Sequence, residues 1–491
     1  MWNTLKIFFD TFGNYITVPI IIFIISLIFK APVKKALVSA VLVGVGLKGM
    51  AWITSAFGGV LSPLVQQIVD ISGIKLPALD VGWQAVASVA YSTEIGMMFI
   101  GIGLVFQVLL YVLRWTDIFM PSDLWNNYSI IVWGSLYLQL TNNLLMALIL
   151  MLFINMVTLL IAEVMQKRWS TYYKYPGTAM TAPHHMGDAP LYLALDFLLG
   201  KLGLDKVNVR PETIRRRIGF LGEPMFIGLL VGLLLGVIGN LHRLGTLDAW
   251  GQIANVAVTA SAVMAIFPRI AGLFASGFTT LTDYSRKALK GSGSTKDREF
   301  IIAVNDALGY GETATLTTGL LVIPIAVLLA FILPGNLVLP VMVLPALPYM
   351  VEVPVSLSDG NIIKSVIAAS LVFIAKLYMA SSWAAVFTQV ATNVGFQVTT
   401  GTVMIIGFIM SNPTAGIITH AFLTKNPILI GLCAILYFAA FILFKRNKPA
   451  VQEYLENNAM RYKAYINQPK PAMAEAGASD IPEATDVSED N

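Results

Sequence analysis

Three polar side chains lie where a short apolar segment ends and a full-length apolar run begins. Thr93 and Glu94 precede the run of residues 95–113, and Glu312 precedes the run of residues 316–333. A carboxylate exposed to lipid is costly, so each glutamate should face protein, water or a ligand. We therefore expect both glutamates to belong to one binding pocket and to contact a ligand from opposite parts of the chain.

Three further interruptions carry pairs of polar side chains. They are Thr141 with Asn142, His184 with His185, and Asn305 with Asp306. Threonine, asparagine, glutamate and neutral histidine together supply hydrogen-bond donors and acceptors, which a polar ligand needs when it leaves water. The pattern indicates a binding site assembled from several interrupted segments.

Each candidate also has a structural interpretation. Glu94 and Glu312 could cap the N-terminus of the helix that follows, where negative charge is favoured. His184 and His185 resemble a pair of metal ligands, but adjacent residues on a helix point apart, and no further His or Cys completes a ligand set. We predict neither a metal nor another cofactor, and both interpretations of the glutamates stay open.

The composition is typical of a chain embedded in lipid. Of 491 residues, 56% are hydrophobic and 12% are charged, and the mean hydropathy is +0.73, whereas soluble domains carry about 25% charged residues. The net charge is +4 and the basic residues gather in short loops, which argues against a nucleic-acid partner. The single cysteine, Cys433, excludes an internal disulfide framework. We predict an all-α polytopic membrane protein with about 10–12 transmembrane helices, some of them re-entrant half-helices.

One apolar helix near the middle of the chain indicates how the spans pack. Residues 225–239 contain no charged or polar side chain and, with their apolar neighbours, are long enough to cross a hydrocarbon layer of about 30 Å. Gly228, Gly232 and Gly236 recur every four residues along it. Such a stripe predicts that another helix approaches this face closely.

The basic residues predict the orientation in the membrane. They concentrate in residues 210–217, 286–298 and 445–448, and positive residues in short loops resist translocation. These loops should be cytoplasmic, which places the N-terminus outside and the C-terminus inside. Residues 448–491 should form a cytoplasmic, largely disordered acidic tail, because six acidic and no basic residues follow Pro471.

Two parts of the chain share a plan. Residues 91–94 and residues 310–313 each close a short segment and open a full span, and residues 141–143 and 391–393 follow at similar distances. Transporters built from repeated halves bind substrate where interrupted helices of both halves meet. We predict repeat halves at about residues 12–200 and 220–444, within a transmembrane domain of residues 1–447.

Several motifs, in this order along the chain, carry a family resemblance. They are Asp80-Val81-Gly82-Trp83, Arg216-Arg217-Ile218-Gly219 with Gly222-Glu223-Pro224, Pro268-Arg269, Pro334-Gly335-Asn336 with Leu339-Pro340, and Thr388-Gln389 with Asn393. From about Phe12 to Phe444 the chain resembles the galactitol family of phosphotransferase-system (PTS) permeases. These are the membrane IIC components, and they are related to the ascorbate permeases.

The resemblance implies a homodimeric sugar or polyol permease of the bacterial plasma membrane, whose core domain moves relative to a dimerisation domain. It also implies a separate IIB component, served in turn by IIA, that phosphorylates the substrate on the cytoplasmic side. The substrate-binding positions carried over are Thr93, Glu94, Thr141, Asn142, His184, His185, Asn305, Asp306 and Glu312. His184-His185-Met186 stands where galactitol permeases tend to show His-Gly-Thr, so the motif leaves the identity of the sugar open.

Two other function classes are alternatives to the PTS permease. In a proton-coupled secondary sugar transporter, Glu94 or Glu312 would carry a proton, as intramembrane carboxylates often do. A membrane-embedded enzyme lacks support, because no nucleophile and base occur in a motif context. Only the family motifs separate the permease from the secondary transporter.

Overall fold

The computed structural model describes residues 11–12, 14–72, 76–207, 209–291, 300–396 and 403–463. Two features discussed above lie outside the described residues in part. They are the second basic loop, over residues 292–299, and the predicted acidic tail, from residue 464 onward.

The first part of the chain alternates apolar helices with very short strands. Its elements are α1 (Asn14–Ile28), α2 (Val33–Ser72), β1 (Ala78–Asp80), α3 (Gly82–Ser92), α4 (Glu94–Val112), β2 (Ile118–Phe119), α5 (Tyr128–Thr141), α6 (Leu144–Tyr173), β3 (Thr178–Met180), α7 (Pro183–Met186) and α8 (Ala189–Lys201). A 3₁₀ helix, Met120–Asn127, leads into α5.

The second part follows a short helix, α9 (Pro211–Ile218). Its elements are α10 (Pro224–Gly239), α11 (Leu247–Gly291), β4 (Ile301–Val304), α12 (Ala307–Tyr310), α13 (Thr313–Ile332), β5 (Val338–Leu339), α14 (Leu347–Met350), α15 (Glu352–Leu357), α16 (Ile362–Asn393), β6 (Met404–Ile406), α17 (Pro413–Leu423) and α18 (Pro427–Ala459).

Within the described ranges, seven helices are long and apolar enough to cross a membrane. They are α2, α4, α6, α11, α13, α16 and α18. Three shorter apolar stretches accompany them, at Val18–Ile28, Pro224–Gly239 and Leu344–Leu357. The strands have two to four residues each. The protein is therefore an all-α polytopic membrane protein, as the composition predicted.

Two three-stranded parallel sheets join the two parts of the chain. One sheet has the order β5-β1-β6 and the other has the order β2-β4-β3. The central strand of each sheet comes from one part of the chain, and both outer strands come from the other part. Each sheet thus pairs backbone N–H and C=O groups that the interruptions between helices would otherwise leave without a partner.

The order of elements in residues 14–201 recurs in residues 224–423. Two helices, a strand, a short helix and a long helix begin both parts, and α6 and α16 are counterparts because each is the long helix between the second and third strands of its part. Asn143 caps α6 and Asn361 caps α16, each by accepting a backbone N–H. The counterpart of residues 141–143 is therefore residues 359–361. The prediction that residues 391–393 correspond to residues 141–143 was wrong, because residues 391–393 lie at the end of α16 and not before its start.

Asp80 holds together the loops that follow all three strands of the β5-β1-β6 sheet. Its Oδ1 accepts the N–H groups of Gly82, at 3.0 Å, and Phe408, at 2.9 Å, and its Oδ2 accepts that of Val343 at 2.6 Å. The side chain is fully buried. The first residue of the Asp80-Val81-Gly82-Trp83 motif therefore has a structural role.

The glycine stripe on α10 packs against α11. A Cβ atom added at Gly232 would lie 2.6 Å from the Cα of Ala257, closer than real contacts allow. Gly228 and Gly236 face the α11 backbone in the same way, so the predicted close approach is confirmed. Helices α1, α2, α10 and α11 pack mainly against one another.

Candidate substrate-binding site

The buried polar centre of the molecule forms where two short parallel strands end. β3 and β4 pair in register, with Met180 opposite Val304. The carboxyl ends of parallel strands meet at one edge of a sheet. His184 and His185 follow β3 by a few residues, and Asp306 follows β4. Pairing between the strands thus brings these three side chains together from distant parts of the chain.

Both histidine rings converge on one carboxylate oxygen. His184 Nε2 lies 3.2 Å and His185 Nε2 lies 2.9 Å from Oδ2 of Asp306, and the ring centroids are 4.2 Å apart. His184 Nδ1 is 2.6 Å from the hydroxyl of Ser129. All four residues are buried. Adjacent histidines were expected to point apart, and this prediction was wrong: both rings reach Asp306 from α7, a helix of only four residues that closely follows β3.

These three residues are also the group, among the described residues, that is spaced to hold a metal ion. Their ligand atoms lie within 4.8 Å of one another. His184 makes a hydrogen bond to Asp306 at 3.2 Å, whereas the 2.9 Å contact of His185 is a close approach, and within the described residues neither of its ring nitrogens has a hydrogen-bond partner. Both distances occur between imidazole and carboxylate groups without a metal. The absence of a metal stays a prediction.

Two acidic residues that the sequence reasoning missed lie beside this centre. Asp123 is buried and accepts hydrogen bonds from Asn126 and from Thr181, which follows β3. Glu352 is fully buried, and its Oε2 accepts the indole N–H of Trp169 at 3.0 Å. Within the described ranges its Oε1 has no hydrogen-bond partner.

Glu352 lies directly behind the half-helix that follows Asp306. A Cβ atom at Gly309, in α12, would collide with its carboxylate. A lone carboxylate between Pro348 and Pro354, inside an otherwise apolar stretch, was the sequence signal that could have identified it.

Asn305 and Thr93 both stabilise local backbone structure. Asn305 Oδ1 accepts the N–H of Ala307 at 2.9 Å and thereby shapes the turn before α12. Thr93 is the N-cap of α4, where its hydroxyl accepts the N–H of Gly96 at 3.0 Å. The same hydroxyl lies 2.9 Å from that of Ser135. Thr93 thus supports the helix that begins beside it.

Thr141 and Asn142 form the turn between α5 and α6. The hydroxyl of Thr141 donates to the carbonyl of Tyr137 at 2.8 Å. Asn142 ends α5 in the left-handed conformation, with φ of 55°, and is exposed. Asparagine tolerates that conformation better than most residues. This turn is not among the residues around Asp306.

The two predicted glutamates occupy different environments. Glu312 is the N-cap of α13, and its carboxylate accepts the N–H groups of Ala314 and Thr315 at 3.0 and 2.9 Å. Glu94 is the first residue of α4 and is exposed. The structure brings Glu312, and not Glu94, into the large polar cavity described next.

That cavity, here called the basic vestibule, has a volume of about 710 Å³. Its lining includes four cationic, three acidic and several tyrosine side chains, among them Arg168, Lys174, Arg210, Arg216, Glu212, Glu312, Asp359, Tyr172, Tyr173 and Tyr462. Met460 and Tyr462, from the segment after α18, form part of its wall.

A chain of hydrogen bonds leads from the basic vestibule toward the buried centre. Glu312 accepts the hydroxyl of Thr315 at 3.0 Å, and Thr315 lies 2.9 Å from the hydroxyl of Tyr173. The Tyr173 hydroxyl also lies 3.2 Å from the backbone carbonyl of Glu352, and its single proton goes either to that carbonyl or to Thr315. The vestibule and the buried centre are therefore connected through residues that contact both.

Comparison with known proteins identifies relatives over most of the chain. Residues 8–401 match the family model described as the PTS system sugar-specific permease component. A putative permease IIC component of Escherichia coli strain K12 is 30% identical over 386 residues, which cover 78% of this chain and 86% of that protein. PTS system galactitol-specific EIIC components of Escherichia coli strains K12 and O157:H7 are each 24% identical over 388 residues, covering 78% of this chain and 83% of theirs. The chain belongs to the family of PTS sugar-specific permease components.

Proposed function

We propose that the protein is a galactitol-type IIC subunit that carries a sugar or polyol across the bacterial plasma membrane. The observation that carries this proposal is the buried centre of His184, His185 and Asp306, which draws side chains from both parts of the chain. Repeated-half transporters bind substrate at such meeting points of interrupted segments. The galactitol-specific relatives support a polyol as the substrate class.

The chemistry of the buried centre suits a hydroxylated ligand. Asp306 accepts hydrogen bonds, each imidazole both donates and accepts when neutral, and Glu352 offers a free oxygen. We assign ligand contact to His184, His185 and Asp306. Of the other predicted positions, Thr93, Thr141, Asn142 and Asn305 support the surrounding turns, Glu94 lies at an exposed helix start, and Glu312 lines the approach.

Coupling to phosphorylation requires a partner. The single cysteine, Cys433, lies within the apolar helix α18, and we assign the phosphorylated side chain to a separate IIB component. The phosphoryl group would pass from that side chain to a substrate hydroxyl. The bond between phosphorus and the carrier breaks, a bond between the hydroxyl oxygen and phosphorus forms, and the hydroxyl proton is released.

The basic loops support an orientation with the N-terminus outside and the C-terminus inside. The basic vestibule, which Arg210 and Arg216 help to line, then opens to the cytoplasm. We assign α1, α2, α10 and α11 to the dimerisation domain of a homodimer, because they pack mainly on one another. The remaining helices would form the moving core.

Uptake in cells tests the proposed function. We expect the substrate to appear inside as its phosphate, to depend on phosphoenolpyruvate and IIB, and to survive an uncoupler. Accumulation of unmodified sugar that an uncoupler abolishes would establish the proton-coupled alternative instead. A binding panel of hexitols, pentitols and hexoses on the purified protein would then define the substrate.

A further inference from the structure

Two of the four cationic side chains in the basic vestibule bind other groups of the protein. Arg168 is buried, and its guanidinium contacts Asp359 at 2.9 Å and Glu456 at 2.6 Å. Arg210 donates to the backbone carbonyls of Asp359 and Ser358 at 2.8 and 3.1 Å. The two ion pairs neutralise Arg168, and the two backbone hydrogen bonds hold Arg210 in place, so both side chains form part of the vestibule wall.

The segment after α18 completes that wall. The ring centroid of Tyr462 lies 3.3 Å from the guanidinium carbon of Arg210, and its hydroxyl donates to Asp359 at 2.9 Å. Burial, and then the charge of Asp359, raise the pKa of Tyr462 to about 12, so the hydroxyl stays protonated and donating at physiological pH. The contacts of Tyr462 thus hold this part of the vestibule wall in place.

The other two cationic side chains remain available. Lys174 follows α6 in the left-handed conformation, with φ of 63°, and Arg216 lies on α9. Both are exposed and both line the vestibule. Within the part of the chain that the structure describes, neither has a hydrogen bond or an ion pair. Glu212, four residues before Arg216 on α9, also lines the vestibule and offsets one positive charge. Two exposed cations against this one exposed acid leave an excess of positive charge, which favours an anionic ligand.

The acidic residue at the inner end does not cancel this preference. Both carboxylate oxygens of Glu312 already accept backbone N–H groups at the start of α13. A volume of about 710 Å³ falls within the roughly 300–1,000 Å³ of small-molecule sites. Arginine and lysine are the side chains that proteins use most for phosphate, one through paired N–H donors and the other as a point charge.

We propose that the basic vestibule is a binding site for a phosphate monoester and that Lys174 and Arg216 recognise the phosphate. The assignment rests on the proposed function, in which a phosphate group occurs on the cytoplasmic side of the membrane in two forms. One is the sugar phosphate that leaves, and the other is the phosphorylated side chain of IIB that arrives. Both present the same dianionic group to the same two cations.

Direct binding to the purified full-length protein tests the site. The probes are galactitol 1-phosphate, inorganic phosphate and unmodified galactitol, measured by calorimetry at low and high salt. Lys174→Gln and Arg216→Gln should each weaken binding of both phosphates by about three- to tenfold, and Lys174→Arg should retain it. Binding of galactitol should not change, because it uses the buried centre.

Two matched controls lie outside the vestibule. Lys201 is an exposed lysine over the ring of Phe197, and Arg215 is the exposed neighbour of Arg216, paired with Glu223 at 3.2 Å. Lys201→Gln and Arg215→Gln should bind phosphate as the unaltered protein does. Equal binding by all four glutamine variants, or no phosphate binding by the unaltered protein, would overturn the assignment.

Phosphorylation by IIB in membrane vesicles separates the two sources of phosphate. A raised KM for phosphorylated IIB in the Lys174→Gln and Arg216→Gln variants would identify the incoming group. An unchanged KM together with weaker galactitol 1-phosphate binding would identify the product. Uptake of unmodified substrate would refute the proposed function but not the phosphate site, so the two failures are distinguishable.

Discussion

His185 Nε2 lies 2.9 Å from Asp306 Oδ2, although the two residues belong to different parts of the chain. The contact depends on the pairing of β3 with β4, because each residue follows the end of one of these strands. Any movement of one strand against the other would change the contact directly. The distance between His185 and Asp306 therefore depends on how the two parts of the chain are positioned relative to each other.

Replacing Asp306 with Asn should weaken substrate binding. The amide retains one acceptor oxygen but loses the charge, and a charge-assisted hydrogen bond is worth about 1.5–3 kcal/mol, or roughly ten- to a hundredfold in affinity. Calorimetry with the best ligand of the polyol panel measures the change. Asp248→Asn, at an exposed ion pair with Arg243, is the control and should bind normally. Unaltered affinity in Asp306→Asn would place the ligand elsewhere.

The two glutamates should respond differently to replacement by Gln. Glu312→Gln turns one capping acceptor into a donor that faces a backbone N–H, so we expect a loss of about 1–2 kcal/mol of stability at the start of α13. Glu94→Gln, at an exposed position capped by Thr93, should cost little. Thermal unfolding in detergent compares them. If both variants instead lost substrate affinity and kept their thermal midpoints, the result would support the prediction that both glutamates contact the ligand.

Asp80→Asn should destabilise the protein without changing the affinity of the folded fraction. Asp80 accepts three backbone N–H groups, and the new amide N–H₂ would face one of them. A buried donor left unsatisfied costs about 1–3 kcal/mol. The thermal midpoint should fall relative to Asp248→Asn, while ligand affinity per folded molecule stays the same. A change in affinity at constant stability would give Asp80 a role in binding.

The buried pair of Lys376 and Asp188 should show strong coupling. Lys376 Nζ lies 2.9 Å from Asp188 Oδ2, and both side chains are almost inaccessible to solvent. Lys376→Met alone leaves a buried carboxylate and should cost about 3–5 kcal/mol, whereas adding Asp188→Leu should recover most of this loss. A double-mutant cycle of unfolding free energies measures it. Additive losses would mean that the pair contributes no mutual stabilisation.

Local sequence patterns predicted the features that depend on neighbouring residues. The apolar runs of residues 95–113 and 316–333, the glycine stripe on α10 and the cap, one of the two interpretations of Glu312, follow from apolar length, spacing and helix chemistry, and the structure contains all of them. The convergence of His184 and His185 on Asp306 could not be predicted, because it depends on strands of only three and four residues. Such strands are too short to show a period of two.

Glu352 and Asp123 were missed for a related reason. Each is one acid in an apolar context, and its importance comes from residues far along the chain, such as Gly309 beside Glu352 and Thr181 beside Asp123. Residues 391–393 were wrongly predicted as the counterpart of residues 141–143, because the two short sequences are similar but lie at different places in the order of helices and strands. Matching the long helix that ends before β3 with the long helix that ends before β6 gives the correct counterpart.

The exchange of strands between the two parts has a consequence for biogenesis. β1 is made early, but its partners β5 and β6 emerge only after some 260 and 325 further residues, a separation set by the register of Ala78 with Val338 and Met404. Until then the carboxylate of Asp80 and the edges of β1 lack their native partners. Neither part can complete its own sheet, so separate expression should yield two immature fragments, and assembly must wait for the last third of the chain to be inserted.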